Sequence, residues 1–121
     1  MKILIAANGP TLDSSVAQWF GHAPYYLLVD TATMQVQVID NSKHNDERHA
    51  LMPRIAGQWA EVFITGNIGP RAFQLARSLN RRVALARRMS AGEALDKLQR
   101  GELEILSAPT VKHSVPDHAH H

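Results

Sequence analysis

A chain of 121 residues, 45% of them hydrophobic, holds enough apolar material for one packed core and points to a globular fold rather than a disordered chain. Its formal charge of +2 mildly favours anionic partners and falls well short of a nucleic-acid-binding tail. Cysteine is absent, which excludes disulfides, thiolate metal ligands and a Cys nucleophile together.

The opening "MKILIAANGP" predicts a buried strand from Lys2 to Ala7, closed by the turn residues Asn8, Gly9 and Pro10. Its apolar run is too short for a signal h-region or a membrane span, so a soluble, cytoplasmic protein without a membrane partner is expected. A polar loop, "TLDSSVAQ", leads to "WFGHAP", and Pro24 restarts the chain as an extended run, "YYLLVD". After "TATM", the run "QVQVID" alternates with period two, so the two runs should pair as an antiparallel hairpin. The period then changes: Leu51, Met52, Ile55, Ala56 and Trp59 share one helical face, with Pro53 either in the first turn or at a kink.

"EVFIT" reads as a short buried strand, and "PRAFQLARSLN" as a helix with Pro70 in its first position. "RVALA" is another buried strand, and "SAGEALDKLQRG" a helix between the capping box of Ser90 and Glu93 and a stop at Gly101. The order β-β-β-α-β-α-β-α implies an α/β domain over residues 1–108 with a mixed five-stranded sheet flanked by helices. Glu102 to Leu106 is a candidate for one more short strand. Residues 109–121 are expected to be a flexible His-rich tail carrying His113, His118, His120 and His121, dispensable for stability and for uptake of a ligand.

Strand directions turn this order into a place. If the first strand points up, the second starts at the top, the third ends there, and right-handed helical crossovers bring the fourth and fifth out there as well. Five segments then converge on one rim: Asn8–Gly9, Trp19–His22, His44–His49, Gly66–Gly69 and Arg87–Arg88. Open α/β sheets bind ligands at this carboxyl end.

Within the rim, Gly66 and Gly69 suit either a nest of N–H groups for an anion or a plain connecting loop with positive φ angles. The turn is not a P-loop, because Arg71 and Ala72 stand where Lys and Ser or Thr would grip phosphate and magnesium. His22, His44 and His49 are the only histidines outside the tail, and in a Cys-free chain imidazole is the best side-chain metal donor. Their spacing matches no fixed zinc pattern, which argues against a tetrahedral structural site. Phe20 should plug the core, Trp19 either does so or walls a pocket, and Arg87 and Arg88 either belong to a solvated frame around their strand or add positive potential at its exit. No carboxylate pair and no nucleophile–base order is present, which argues against a hydrolase.

Three stretches, "FGHAPYYLLVD", "ITGNIGPRAF" and "AGEALDKLQRGELEIL", in order and spacing over most of Met1 to Leu106, resemble the dinitrogenase iron–molybdenum cofactor biosynthesis family. That family includes NifX-type carriers, the C-terminal domain of NifB and stand-alone members of the orange-protein type. The resemblance implies a ribonuclease-H-like three-layer fold and the carriage of preformed metal–sulfur clusters without catalysis. Phe20, Gly21, Gly66, Asn67, Gly69 and Pro70 match the family pattern, and His22 matches members with F-G-H-A. Trp19 departs from the His that nitrogenase carriers commonly place before F-G, which points to the stand-alone branch.

The implied cargo is a molybdenum–copper sulfide cluster, or one of iron–molybdenum or iron–sulfur type, bound without covalent attachment. The residues expected to hold it are Asn8, Trp19, Phe20, Gly21, Gly66, Asn67, Ile68, Gly69, Arg71 and Arg87, with His22, His44 and His49 as metal donors. Cluster donor or acceptor proteins are the implied partners, and nucleic acid is not. Two other classes compete. One is an enzyme or binding protein for a phosphate-bearing small molecule in the same turn. The other is a ribonuclease-H-like nuclease, against which the lack of a carboxylate in "KILIA" counts.

Overall fold

The computed structural model describes residues 1–41 and 59–111. Its elements are β1 (Lys2–Ala7), β2 (Tyr25–Asp30), β3 (Gln35–Asp40), β4 (Val62–Thr65), α1 (Pro70–Ser78), β5 (Arg82–Leu85), α2 (Ala91–Gln99) and β6 (Glu104–Ile105). The helix expected from Leu51 lies outside the described residues, apart from its last member, Trp59.

The strands form one sheet in the order β3-β2-β1-β4-β5-β6. β1, β4 and β5 run parallel, while β2, β3 and β6 run against their neighbours. The sheet therefore has six strands where five were expected. The sixth is only two residues long, too short to show a period, yet it pairs with Ala84 and Leu85, and the Leu106 N–H donates to the Val83 carbonyl at 2.8 Å.

Both faces of the sheet are covered, which is why β1 and β4 read as continuous apolar runs. On one face Leu4, Ala6, Tyr26 and Phe63 pack with Phe73 and Ala76 of α1. On the other Ile3, Ile5, Leu27 and Ile64 pack with Ala91, Ala94 and Leu95 of α2. This is the ribonuclease-H-like three-layer arrangement expected. At the sheet edge β3 alternates as its sequence suggests, with Val36 on the α2 side and Ile39 on the α1 side. α2 starts on Ser90, whose hydroxyl accepts from the Glu93 N–H at 3.0 Å, and stops at Gly101, with φ 73 in the left-handed region.

One aromatic cluster ties the core to the carboxyl end of the sheet. Phe20 stacks on Phe63 with centroids 5.2 Å apart and meets Tyr26 edge-on at 5.6 Å. The Tyr26 hydroxyl donates to the Phe20 carbonyl at 2.6 Å, and burial pushes its pKa far above the usual phenol value, so it stays a donor. Tyr26→Phe should destabilise the domain by about 1–2 kcal/mol, because a buried carbonyl loses its partner. A thermal melt reads this as a drop of several degrees. An unchanged melt would mean that another donor replaces the phenol.

Candidate functional site

The carboxyl ends of β1, β4 and β5 do not simply end in open loops. The segment before β2 inserts between them. The Ala17 N–H donates to the Ala6 carbonyl at 2.8 Å, and the Ala17 and Gln18 carbonyls accept from Gly66 and Asn67 at 3.0 and 2.6 Å. The Phe20 N–H returns to the Asn67 carbonyl at 3.0 Å, and Trp19 and Asn67 form a parallel bridge. Gly66 is required for this approach: a Cβ there would sit 2.8 Å from the Ala17 carbonyl oxygen and 2.9 Å from that of Gln18. Both contacts are backbone, so neither can swing aside.

This geometry corrects the anion-nest expectation for the glycine turn. Gly69 has φ −85 and ψ 174, and Gly66 has no positive φ either. The N–H groups of Gly66 and Asn67 are taken by Ala17 and Gln18, and that of Ile68 by the Thr110 hydroxyl at 2.9 Å. Gly66 serves close packing of main chains, and Gly69 serves as the N-cap of α1.

The donors left for a ligand lie at the start of α1. Gly69 makes no side-chain cap, the first turn carries no acidic residue, and Pro70 has no N–H to offer. The N–H groups of Arg71 and Ala72 have no intrahelical acceptor in such a position, and the positive end of the helix dipole lies there. α2 differs, since Ser90 caps it and Glu93 sits in its first turn. Of the two helices given above, both among the described residues, α1 is the one with its start left for an anion.

Arginines stand in the first turn of α1 and just after β5. Arg71, Arg87 and Arg88 are all exposed. The Arg87 guanidinium donates to the Asn67 side-chain oxygen at 2.6 Å, joining the exits of β4 and β5. Arg88 holds φ 59, a left-handed conformation that costs a non-Gly residue roughly 1–2 kcal/mol. Just beyond it, the Met89 carbonyl accepts the Val16 N–H at 2.9 Å, and Ser90 bridges Ser15.

The other expected site residues divide clearly. Asn8 is exposed at the end of β1, and its amide donates to the Ser15 hydroxyl at 2.8 Å. Trp19 is half-buried beside Asn67, whereas the side chains of Phe20 and Ile68 are each only 1% exposed and belong to the core. Gly21 faces open space, with nothing within 4 Å of a modest Cβ, and His22 is exposed at the entry to β2. His44 and His49 lie outside the described residues. Among the described residues, no group of three or more His, Asp or Glu gathers to hold a metal ion.

Thr110 was not expected at the rim. Its N–H and hydroxyl donate to the Ile68 carbonyl at 3.0 and 3.1 Å, while its hydroxyl accepts from the Ile68 N–H. The hydrogen-bonded unit therefore reaches Thr110, beyond the boundary expected at residue 108. No local sequence pattern announces this pairing across 42 residues.

A family model described as "Dinitrogenase iron-molybdenum cofactor" matches residues 1–101. A comparison with curated proteins finds no match. Among solved structures, the chain is similar to the apo form of the orange protein from Desulfovibrio gigas. Identity is 27%, with 91% of this chain and 96% of that one covered and a TM-score of 0.80. It also shares its fold with a candidate NifB protein from Thermotoga, at 24% identity, 91% and 97% coverage and a TM-score of 0.75. A candidate dinitrogenase from Methanocaldococcus jannaschii has the same fold at 21% identity, with 90% and 97% coverage and a TM-score of 0.68.

Proposed function

Because the chain belongs to the dinitrogenase iron–molybdenum cofactor family, we propose that it is a non-catalytic carrier or scaffold for an anionic metal–sulfide cluster, held at the carboxyl-end rim of its sheet. Molybdenum–copper is the first candidate for the metals and iron–molybdenum the second. The observation that carries this is the uncapped, acid-free start of α1, preceded by Asn67, whose side chain holds the exposed Arg87. A cluster that arrives with its own sulfides needs charge and N–H donors more than ligands, and a Cys-free chain supplies those. Arg71 and Ala72 donate from the helix start, Arg87 stands over it, and Trp19 walls the side. Asn8 holds the neighbouring loop in place, and His22, His44 and His49 donate imidazole nitrogen to exposed metals.

Cluster donor and acceptor proteins would meet the same rim. No helix among the described residues is long and apolar enough to cross a membrane, and we place the carrier in the cytoplasm.

Anaerobic incubation with tetrathiomolybdate and copper, followed by visible spectroscopy and elemental analysis, should give a coloured protein of fixed metal ratio. The uncapped helix start also suits a phosphate-bearing small molecule. A protein that stays colourless but is stabilised by inorganic phosphate would favour that second function. Arg87→Met should weaken cluster binding about twofold to fivefold, the effect of one exposed charge, and flatten its dependence on salt. Equal affinity and equal salt dependence in the variant would remove Arg87 from the site.

A further inference from the structure

The two edges of the sheet are finished differently. At one edge β6 is only two residues long and begins with the charged Glu104. At the other, β3 runs for six residues, and among the described residues only β2 pairs with it. From Gln35 to Ile39 this edge carries neither charge nor proline, the usual means by which an edge discourages pairing. Val38 stands 42% exposed on it.

The ladder to β2 shows which main-chain groups of β3 face outward. The Asn41 N–H donates to the Pro24 carbonyl at 2.7 Å, and bonded pairs alternate along an antiparallel ladder. In the register Tyr26↔Ile39, Leu28↔Gln37 and Asp30↔Gln35, those β3 residues bond to β2. Val36 and Val38 therefore turn their N–H and carbonyl groups away from the sheet.

We propose that this edge pairs antiparallel with β3 of a second copy, about a two-fold axis at Gln37, so that two sheets join into one. In that register the strand is its own complement. Val36 faces Val38 of the second copy on the side of the sheet that carries α2, and Gln37 faces Gln37 on the other side. Moving the axis to Val38 would set Val36 against the carboxylate of Asp40, which disfavours the alternative. A second copy fits better than a foreign strand, because "QVQVI" offers no charge for a partner of opposite sign to read. A single strand pair buries less than a standard interface, so the dimer is weak and depends on concentration. Antiparallel pairing points the two rims in opposite directions and leaves both open. The inference does not rest on the cluster reading.

Sedimentation of the full chain over rising concentration, with a chelator present to keep histidines from bridging chains through metal, should show reversible dimers. Gln37 is exposed, and about the axis it forms a non-bonded pair with Cα atoms about 4.5 Å apart. Gln37→Lys or Gln37→Glu alone should weaken association about threefold to fivefold, whereas the two variants mixed should associate at least as tightly as the parent. Val38→Pro removes an outward N–H and no bond to β2, and should abolish the dimer. Because the chain has no cysteine, Gln37→Cys supplies a lone thiol. It should oxidise to a cross-linked dimer at least about tenfold faster than Glu104→Cys, an exposed thiol on the other edge. The proposal is overturned if the chain stays a monomer at every concentration, if the mixed variants associate no better than either alone, if Val38→Pro associates like the parent, or if the two thiols cross-link at one rate.

Discussion

Gly66→Val is expected to destabilise the domain by about 3 kcal/mol and to abolish cluster uptake, the largest effect foreseen for any rim substitution. The added Cβ would meet the Ala17 and Gln18 carbonyl oxygens at 2.8 and 2.9 Å, inside any distance that real Cβ atoms adopt. Relief requires main chain to move, and the bonds from Gly66 and Asn67 to those same carbonyls are the first to stretch. Trp19 and Phe20 would lose their register with Asn67, so the wall of the site and the plug beneath it shift together. Gly21→Ala is the matching control for stability. Its Cβ meets nothing within 4 Å and should change stability by no more than about 0.5 kcal/mol. Urea unfolding of the two variants checks the contrast. Equal midpoints would show that the inserted segment yields easily and that Gly66 is not a packing requirement.

The contrast between these glycines also marks what the sequence could and could not disclose. β1, β4 and β5 were legible because strands buried on both faces are short unbroken apolar runs, and α2 because Ser90 and Glu93 form a local box. The rim followed from strand directions alone, and Asn67, Trp19 and Arg87 do meet there. Gly66 looked like a residue chosen for positive φ, whereas its cause lies nearly fifty positions away in the carbonyls of Ala17 and Gln18. Thr110 was missed for the same reason, since its bonds to Ile68 span 42 residues and leave no local pattern. Ile68 sits inside a motif-like loop, but irregular backbone has no period from which its burial could be read. The joint placement of His22 with His44 and His49 remains an expectation of topology, because the latter two lie outside the described residues.

Gly69→Asp is expected to raise stability while removing function, a combination that few binding-site changes produce. With φ −85 and ψ 174, Gly69 already has the extended conformation of a good N-cap, so an aspartate there can accept the N–H groups that α1 leaves open. The cap and its favourable position on the helix dipole together should add up to about 1 kcal/mol. The same carboxylate takes the donors assigned to the cluster and sets a negative charge where an anion must sit. Gly69→Ala brings a Cβ but neither acceptor nor charge, and should bind close to the parent.

The most direct test of the central claim is therefore an anaerobic titration of parent, Gly69→Ala and Gly69→Asp with tetrathiomolybdate and copper, followed by visible absorption beside a thermal melt of each protein. If the start of α1 holds an anionic cluster, the aspartate variant melts no lower than the parent and binds at least about tenfold more weakly, a difference of about 1.4 kcal/mol. If it takes up the cluster as tightly as the parent, the cluster is not held at the start of α1.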